Sequence, residues 1–470
     1  MRRDAATGGV PGRTRILLVT HYFPPEVGAP QARLSETARA WAADGLDVTV
    51  LTGMPNHPTG VVPPAYRRAL RRVEHADGYR VVRTWLYATP NEGVVRKTLS
   101  HLSFMVSSVL LGARIIGRTD VLVVSSPTFF SLGSAWMLAR LRRARLVVEV
   151  RDLWPAIFVQ LGVIRNRRVI AALERLEIAA YRAADAVVTV TEGFRADIVR
   201  RGIPATKVHV IPNGVDIARF RPTSPDEHGD LPAVRERLGA LPGDLLVLYL
   251  GAHGISQGLV SVADAATWLA RENIPVHIAF VGEGADKRRL AAHVTRLGLS
   301  NVSLHPAVAR DEVPALLAAA DVCLVPLRDV PLFETFIPSK MFELLAAGRP
   351  VIGSVRGEAA RILSAAGALV VEPENPELLA SAIGTLATSP SRRAEMARTG
   401  RSYVAAHYNR VHLARRYRDL VLGLMDVRVP PAQIPRIRQE VPARHANVAG
   451  GTSTPAAPQQ QTPPPSSYSK

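Results

Sequence analysis

The 470 residues contain one cysteine, Cys323, set in the apolar run DVCLVPL. There it reads as a small buried hydrophobe, so a disulfide framework and a cysteine-based zinc site are both excluded, and the interior suits a reducing cytoplasm. Long apolar runs are also missing. The stretch HLSFMVSSVLLGARIIG at 101–117 holds about fifteen mostly apolar residues, short of the roughly twenty needed to span a bilayer. Residues 1–13 lack the apolar core of a signal peptide and read as a frayed tail. No G-x-G-x-x-G follows the first strand-like segment, which argues against a dinucleotide oxidoreductase. Basic stretches are not interleaved with aromatics and no recognition-helix pattern occurs, so nucleic acid is not expected as a partner.

What is present is globular in composition, with 47% hydrophobic and 21% charged residues, and the length predicts two or three domains. The charge is unevenly placed. Residues 1–210 hold 30 Lys and Arg against 16 Asp and Glu, residues 211–426 hold 23 of each, and the last 44 hold five against one. A basic half beside a neutral half suits a surface facing anionic phospholipid or a polyanionic acceptor. The run at 101–117, with basic flanks, fits either a helix lying in a membrane interface or a buried crossover helix.

Along the chain, RILLVTHY reads as a buried strand, FPPEVGAP as a turn, and SETARAWAADG as a helix capped by Ser35 and stopped by Gly45. DVTVLTG is the next strand. This strand–loop–helix–strand order is an open α/β unit, in which ligands sit beyond the carboxyl ends of strands. Gly28 occupies the first such loop. VLVVSS and RLVVEV are further parallel strands, and the second leads into RDLWP, which places Arg151, Asp152 and Trp154 at a strand's carboxyl end. After KVHVIPNGVD, which reads as an interdomain crossing, the second half repeats the pattern: LLVLYLG leads into AHGISQGL, and PVHIAFVGEG ends in a second glycine loop. A last amphipathic helix, YNRVHLARRYRDLVLGL, precedes a Pro-, Gln- and Ser-rich stretch at 427–470 that cannot build a core and is expected to be disordered. The implied domains are 14–210, 211–407 and a crossover helix at 408–426.

The segment PLFETFIPSKMFELLAAGRPVIGSVRGEAARIL at 331–363 is the densest in chemistry. A P-S-K turn opens a helix that carries Glu343 and stops at Gly348. A helix start with a lysine favours an anion, and a carboxylate one turn inside can accept hydrogen bonds from a vicinal diol. This reads as a pocket for a nucleoside diphosphate.

These pieces resemble a known family. VIPNGVD at 210–216, FVGEG at 280–284, FELLAAGRPVIGS at 342–354 and GE at 357–358 are similar to retaining glycosyltransferases of family 4. YFPPEVGAP and RDLWP look closer still to the subgroup that builds O-antigen, capsule and related exopolysaccharides, including N-acetylfucosamine transferases. The resemblance implies a GT-B fold: two Rossmann-like α/β domains facing a cleft, with a C-terminal helix returning toward the first. It implies acceptor binding by the first domain and donor binding by the second, with Glu343 on the ribose hydroxyls. The residues read above and the departures below add Glu334, Ser339, Gly28, His253, Gly254, Gln257, Gly282 and Glu358 as expected donor ligands and Asp152, Arg151 and Lys340 as expected at the chemistry.

The chain departs from that family at three places. The usual first motif glutamate falls on Thr335, with Glu334 one residue earlier. The Arg and Lys that clamp the diphosphate fall on Ala252 and Gln257, so Lys340 is expected to replace them, because a dianionic leaving group left uncompensated in a closed site is costly. The acceptor-side histidine aligns with Arg151, which cannot act as a base at neutral pH, leaving Asp152 to hold the acceptor hydroxyl. No D-x-D triplet occurs, so no metal site and no cofactor are expected.

The function implied is transfer, with retention, of a sugar from a UDP-linked and N-acetylated donor to a lipid-linked or growing glycan acceptor. The place implied is the cytoplasm, peripheral on the inner face of the plasma membrane. A nucleotide-sugar epimerase of the same architecture and a non-catalytic scaffold for glycan assembly stay open at this stage.

Overall fold

The computed structural model describes residues 13–425, apart from 27, 58, 91–93, 127–128, 154, 157–164, 223–226 and 228–229. Trp154, residues 1–12 and residues 426–470 therefore lie outside the described residues, and so do the expectations of disorder for the two tails.

Two sheets organise the chain. The first holds β1 (Arg15–Val19), β2 (Asp47–Gly53), β3 (Arg71–Ala76), β4 (Tyr79–Thr84), β5 (Val121–Ser126), β6 (Arg145–Val150), β7 (Ala186–Thr189) and β8 (Val208–Val210). Their spatial order is β3-β4-β2-β1-β5-β6-β7-β8. The second holds β9 (Leu245–Leu250), β10 (Val276–Val281), β11 (Val302–His305), β12 (Val322–Pro326), β13 (Val351–Ser354) and β14 (Leu369–Val371), in the order β11-β10-β9-β12-β13-β14. Every pairing is parallel except β3 with β4. Strands such as LLVLYL and VHIAFV are apolar almost without interruption because helices cover both faces of a parallel sheet. Each sheet is accordingly packed on both sides by buried aliphatic clusters.

The strand β3 was not legible as such. Its residues RRVEHA are nearly all exposed, and the alternation that marks a half-buried strand is missing. Charge on an edge strand keeps it from pairing with another chain. Within the molecule Arg83 of β4 donates to Glu74 of β3 at 2.8 Å.

Two helical expectations change. The helix after β1 runs from Ala29 to Ala43, with Gly28 as its cap residue and a proline in its first turn. Ser35 thus lies inside it, its hydroxyl donating to Ala32 O at 3.1 Å. The apolar run begins earlier than 101, as a helix Val94–Ser107 that continues through a π turn at Ser108–Gly112.

The final helix, Arg410–Gly423, returns to the first lobe. Trp41 Nε1 donates to Ala414 O at 2.8 Å, and the rings of Trp41 and Tyr417 meet edge to face at 5.2 Å. The two chain crossings touch each other: Val215 N–H bonds Tyr408 O, and Arg410 N–H bonds Val215 O. Arg33 pins the first crossing to its own lobe. Its guanidinium pairs with buried Glu149 at 2.8 Å and donates to Pro212 O and Ile211 O. Burial opposes the Glu149 charge, but Arg33 and Arg151 hold its carboxyl below the usual range. The result is two α/β lobes joined where the two chain crossings meet, with loops leaving the strands at their carboxyl ends.

Candidate active site

The loop after β9 and the loop after β10 lie against each other. Gly251 has φ 144° and Gly282 φ 152°, and a Cβ on Gly282 would stand 1.9 Å from Gly251 O. Only glycine fits there, which is why both strands end in glycine. His253 N–H bonds Glu283 O, and Asp286 N–H bonds His253 O, locking the two loops together.

Lys340 reaches into this junction. It is the first residue of the helix Lys340–Ala346. Its ammonium lies 3.7 Å from the Tyr249 ring centre and 3.5 Å from where a Gly251 Cβ would be. The side chain pairs with no carboxylate among the described residues, and burial pushes the ammonium down to about 7. A cation held by an aromatic face without a counter-ion is poised to accept an anion. Ala252 and Gln257 belong to this same loop, and neither carries a charge.

The carboxylate of Glu343, one turn on, is also without a hydrogen bond or ion pair among the described residues. Burial raises its pKa, while Arg410 and Arg310 act against that rise. Arg410 is anchored to Gly214 O at 2.7 Å and pairs with Glu36 of the first lobe. Arg310, from the loop after β11, approaches Glu36 at 3.8 Å from the second lobe.

On the first lobe, Arg151 and Asp152 do sit at the carboxyl end of β6. Burial lowers the Arg151 pKa to about 10, with Glu149 opposing that fall and Arg33, Asp152 and Arg410 also acting on it. Its Nη1 is buried and unpartnered. Burial raises the Asp152 carboxyl and Arg151 counteracts. Arg410 therefore acts electrostatically on both Arg151 and Glu343, which ties the two lobes' site residues to one cation.

Four expected donor ligands are placed otherwise. Glu358 is buried, and its two oxygens accept Glu192 N–H at 2.9 Å and Gly193 N–H at 3.0 Å. It caps a helix of the first lobe, Glu192–Arg200, where a carboxylate is favoured by free amides. Gln257 Oε1 accepts Gly254 N–H at 3.0 Å, so that amide already has its partner and the Gln257 carbonyl is turned into the loop. The His253 ring is fully buried beside Tyr249 and Phe280, with neither nitrogen bonded. Burial pushes its pKa down to about 4, so it is a neutral element of the loop's support rather than a cleft-lining group.

Glu334 is exposed on a 3-10 turn, Pro331–Thr335, beside Arg356. Thr335, at the family's glutamate position, stands where a Gly193 Cβ would meet it at 2.7 Å. The seam of the lobes, with Phe194 against Phe336 at 5.5 Å, occupies the turn. Ser339 caps the Lys340 helix without a side-chain bond, and Gly28 sits within 2.4 Å of Gln31 Oε1 by its would-be Cβ.

Sequence reading missed Arg410 and Glu36, which lie on helices and belong to no glycine loop or strand end, and Arg310, which lies in the loop after β11. It also passed over His21 and His57 of the first lobe, which follow β1 and β2 and so carry the signal used for Arg151, namely position at a strand's carboxyl end.

Comparison with known proteins accounts for this layout. Residues 28–214 match the glycosyl transferase 4-like domain, and residues 244–389 match the glycosyl transferases group 1 domain. The putative colanic acid biosynthesis glycosyl transferase WcaI of Escherichia coli K12 is 30% identical over 380 residues, covering 78% of this chain and 91% of that protein. A GDP-mannose-dependent alpha-(1-6)-phosphatidylinositol monomannoside mannosyltransferase of Mycobacterium tuberculosis is 28% identical over 420 residues, covering 87% and 98%. Among solved structures, Anabaena Alr3699/HepE in complex with UDP and glucose superposes with a TM-score of 0.65 at 20% identity, covering 87% of this chain and all of that one. The chain belongs to the family 4 glycosyltransferases and has their GT-B fold.

Proposed function

We propose that this enzyme transfers a sugar, with retention of configuration, from a UDP-linked and N-acetylated donor to a lipid-linked or growing glycan acceptor. The observation that carries the reading is the unpaired Lys340 ammonium at the β9 loop, with unpartnered Glu343 one turn beyond. Lys340 would neutralise the leaving diphosphate, with Gly251 and Gly282 allowing it close approach, and Glu343 would accept the ribose hydroxyls. Asp152, kept near Arg151, would hold the acceptor hydroxyl while the departing phosphate takes its proton. The protein then works by positioning both substrates and stabilising developing negative charge, not by nucleophilic catalysis. No metal or cofactor enters this reading.

The relatives are named for GDP-mannose or solved with UDP, so the donor screen covers both bases. Purified protein is melted with UDP-, GDP- and dTDP-sugars, and the stabilising donor is then incubated with and without a polyprenyl-diphosphate glycan acceptor. Acceptor-dependent transfer supports the reading. Interconversion of donor without acceptor, or no nucleotide binding at all, overturns it.

The acceptor's membrane is the second part of the proposal. Among the described residues no helix is long and apolar enough to cross a bilayer. The helix Val94–Ser107 nevertheless exposes Val95 at 72%, Leu99 at 51% and Val106 at 50%. At about 100° per residue these three fall within roughly 40° of one another, a single outward stripe. Trp85 and Tyr87 are exposed as well, and Arg96 is exposed beside the stripe. An apolar stripe with cations and aromatics suits the interface of an anionic membrane. Flotation with phosphatidylglycerol vesicles checks it: binding that Leu99→Asp weakens is expected, and no binding at low salt contradicts it.

A further inference from the structure

On the opposite side of that same helix the first lobe holds a cluster of polar rings that the donor chemistry does not use. His21 follows β1, His57 follows β2, and His101 projects from the helix Val94–Ser107. His21 meets His101 at 4.6 Å, Phe104 at 5.0 Å and Tyr22 at 4.5 Å between ring centres, and Tyr22 meets His57 at 5.0 Å. His21 and His101 are buried, whereas Tyr22 and His57 are partly open and form the mouth. Both ring nitrogens of His21, Nε2 of His101 and Nδ1 of His57 are buried without a hydrogen-bond partner. Leaving a buried polar atom unpaired is unfavourable, so these nitrogens call for a ligand.

The charge state of the rings decides what that ligand is. Burial holds all three imidazoles below their ordinary value, with His101 down to about 4, so they are neutral at physiological pH. Lys97 lowers them further and has a partner of its own. Burial also pushes the Tyr22 phenol up to about 12, with Glu26 adding to the rise, so Tyr22 keeps its O–H. Glu26 itself is engaged: Oε2 accepts Phe23 N–H, and Oε1 accepts the amides of Asn56 and His57. A neutral imidazole carries one N–H donor and one lone pair, and a phenol likewise donates and accepts. His21 is decisive. With both nitrogens unpaired, either tautomer leaves one donor and one acceptor to be met. An anion offers lone pairs only and would leave the acceptor nitrogen unmet. A hydroxyl donates and accepts in turn, so a polyol fits these groups.

We propose that His21, His57, His101 and Tyr22 read the hydroxyls of the acceptor's sugar rings, as specificity-determining residues away from the transferring bond. The strand order brings them to a suitable place. β2, β1, β5 and β6 are consecutive in the first sheet, and Asp152 follows β6. Neighbouring strands lie about 4.8 Å apart, so the ends of β1 and β2 are about 10 Å and about 14 Å from that of β6. An acceptor with its reacting hydroxyl on Asp152 can lay the sugar rings behind it across these ends. The helix Val94–Ser107 then serves two parts of one molecule: Val95, Leu99 and Val106 point outward, while His101 and Phe104 lie about 180–240° round from Val95 and face the cluster. This rests on the glycan acceptor proposed above and adds the residues and the chemistry that recognise it.

The test is NMR of the full chain labelled at histidine, with the donor site filled beforehand by the nucleotide that stabilises the protein. Methyl glycosides of glucose, galactose, mannose, fucose and N-acetylglucosamine are titrated in, and inorganic pyrophosphate separately. At least one glycoside is expected to shift the imidazole resonances of His57 and His101, and pyrophosphate to leave them in place. Resonances unmoved by every glycoside would assign the nitrogens to fixed water. Shifts caused by pyrophosphate, with or without a glycoside, would assign the site to an anion. Either result overturns the inference. Substitution at the mouth gives a second readout. His57→Gln keeps a donor and an acceptor and should hold glycoside affinity within about threefold, whereas His57→Phe should lose about tenfold, with nucleotide affinity within about twofold in both. Equal glycoside affinity in the two variants overturns the inference, and should either misfold, the resonances of the parent decide. Failure of the glycosyltransferase reading shows instead as loss of nucleotide binding in the parent.

Discussion

Glu343 and Glu358 stand fifteen positions apart in one lobe, both buried in large part, and only their partners differ. Glu358 has both oxygens on amides of the other lobe, whereas Glu343 has none and is balanced only at a distance by Arg410 and Arg310. A buried carboxylate whose hydrogen bonds are all made belongs to the framework, and one without them is waiting for a ligand. Lys340 and Lys287 repeat the contrast among cations. Lys287 donates to Gly282 O, His305 O and Glu283, while Lys340 has only an aromatic face. In the proposed reading the donor meets Lys340 and Glu343, two charged side chains of this region that make no ion pair among the described residues.

The sharpest way to break this contrast is Lys340→Ala. Loss of a charge placed on a leaving diphosphate is expected to lower kcat/KM by about 100-fold to 1,000-fold, read by steady-state transfer with the identified donor. The same change is expected to raise the melting temperature of the nucleotide-free protein. The folded pKa of Lys340 is depressed from 10.5 to about 7, so at any pH below the unfolded value the unfolded chain holds the proton more readily and the lysine weakens folding. A variant that is both less active and less stable would contradict the reading.

Glu343→Ala removes charge-assisted hydrogen bonds to the ribose, each worth about 1.5–3 kcal/mol, and should weaken nucleotide binding by roughly 10-fold to 150-fold. Equal affinities for ribose and 2′-deoxyribose nucleotides in the variant, but not in the parent, would confirm which hydroxyls it holds.

The pH dependence of nucleotide affinity follows next. Below about pH 7 free Lys340 is already an ammonium, and binding needs no proton. Above it, binding must take one up, so affinity should fall by up to tenfold per pH unit. In Lys340→Ala the slope through this range should flatten. A parent profile that stays flat from pH 6.5 to 8.5 would show that the bound diphosphate does not meet this ammonium.

Glu358→Gln, the framework counterpart, should do least to chemistry. Loss of a capping charge costs about 1 kcal/mol, a melting shift of about 1 °C for a protein of this size, with nucleotide affinity within twofold of the parent. Chelation with EDTA should leave turnover unchanged.

Much of this was legible in the chain. Continuous apolar strands alternating with helices gave the parallel sheets, and the helix containing Glu343 was read correctly from its P-S-K start to Gly348. Position at a strand end placed Arg151 and Asp152 as well. What was not legible is how each polar group is satisfied. Glu358 and Glu343 look alike in sequence, and only the packing of the Glu192–Arg200 helix against the second lobe separates them. Glu36, Arg310 and Arg410 meet from three distant segments, a convergence that no local spacing encodes. The edge strand β3 was hidden because its side chains answer to solvent and not to a core.

The most direct test sets the two classes of residue side by side: calorimetric titration of UDP and of GDP into the parent, Lys340→Ala and Glu358→Gln proteins at pH 6.5. The prediction is a loss of at least thirtyfold for Lys340→Ala and less than twofold for Glu358→Gln. Equal losses in the two variants, or the larger loss in Glu358→Gln, would contradict the claim that the unsatisfied groups are the ones that bind the donor.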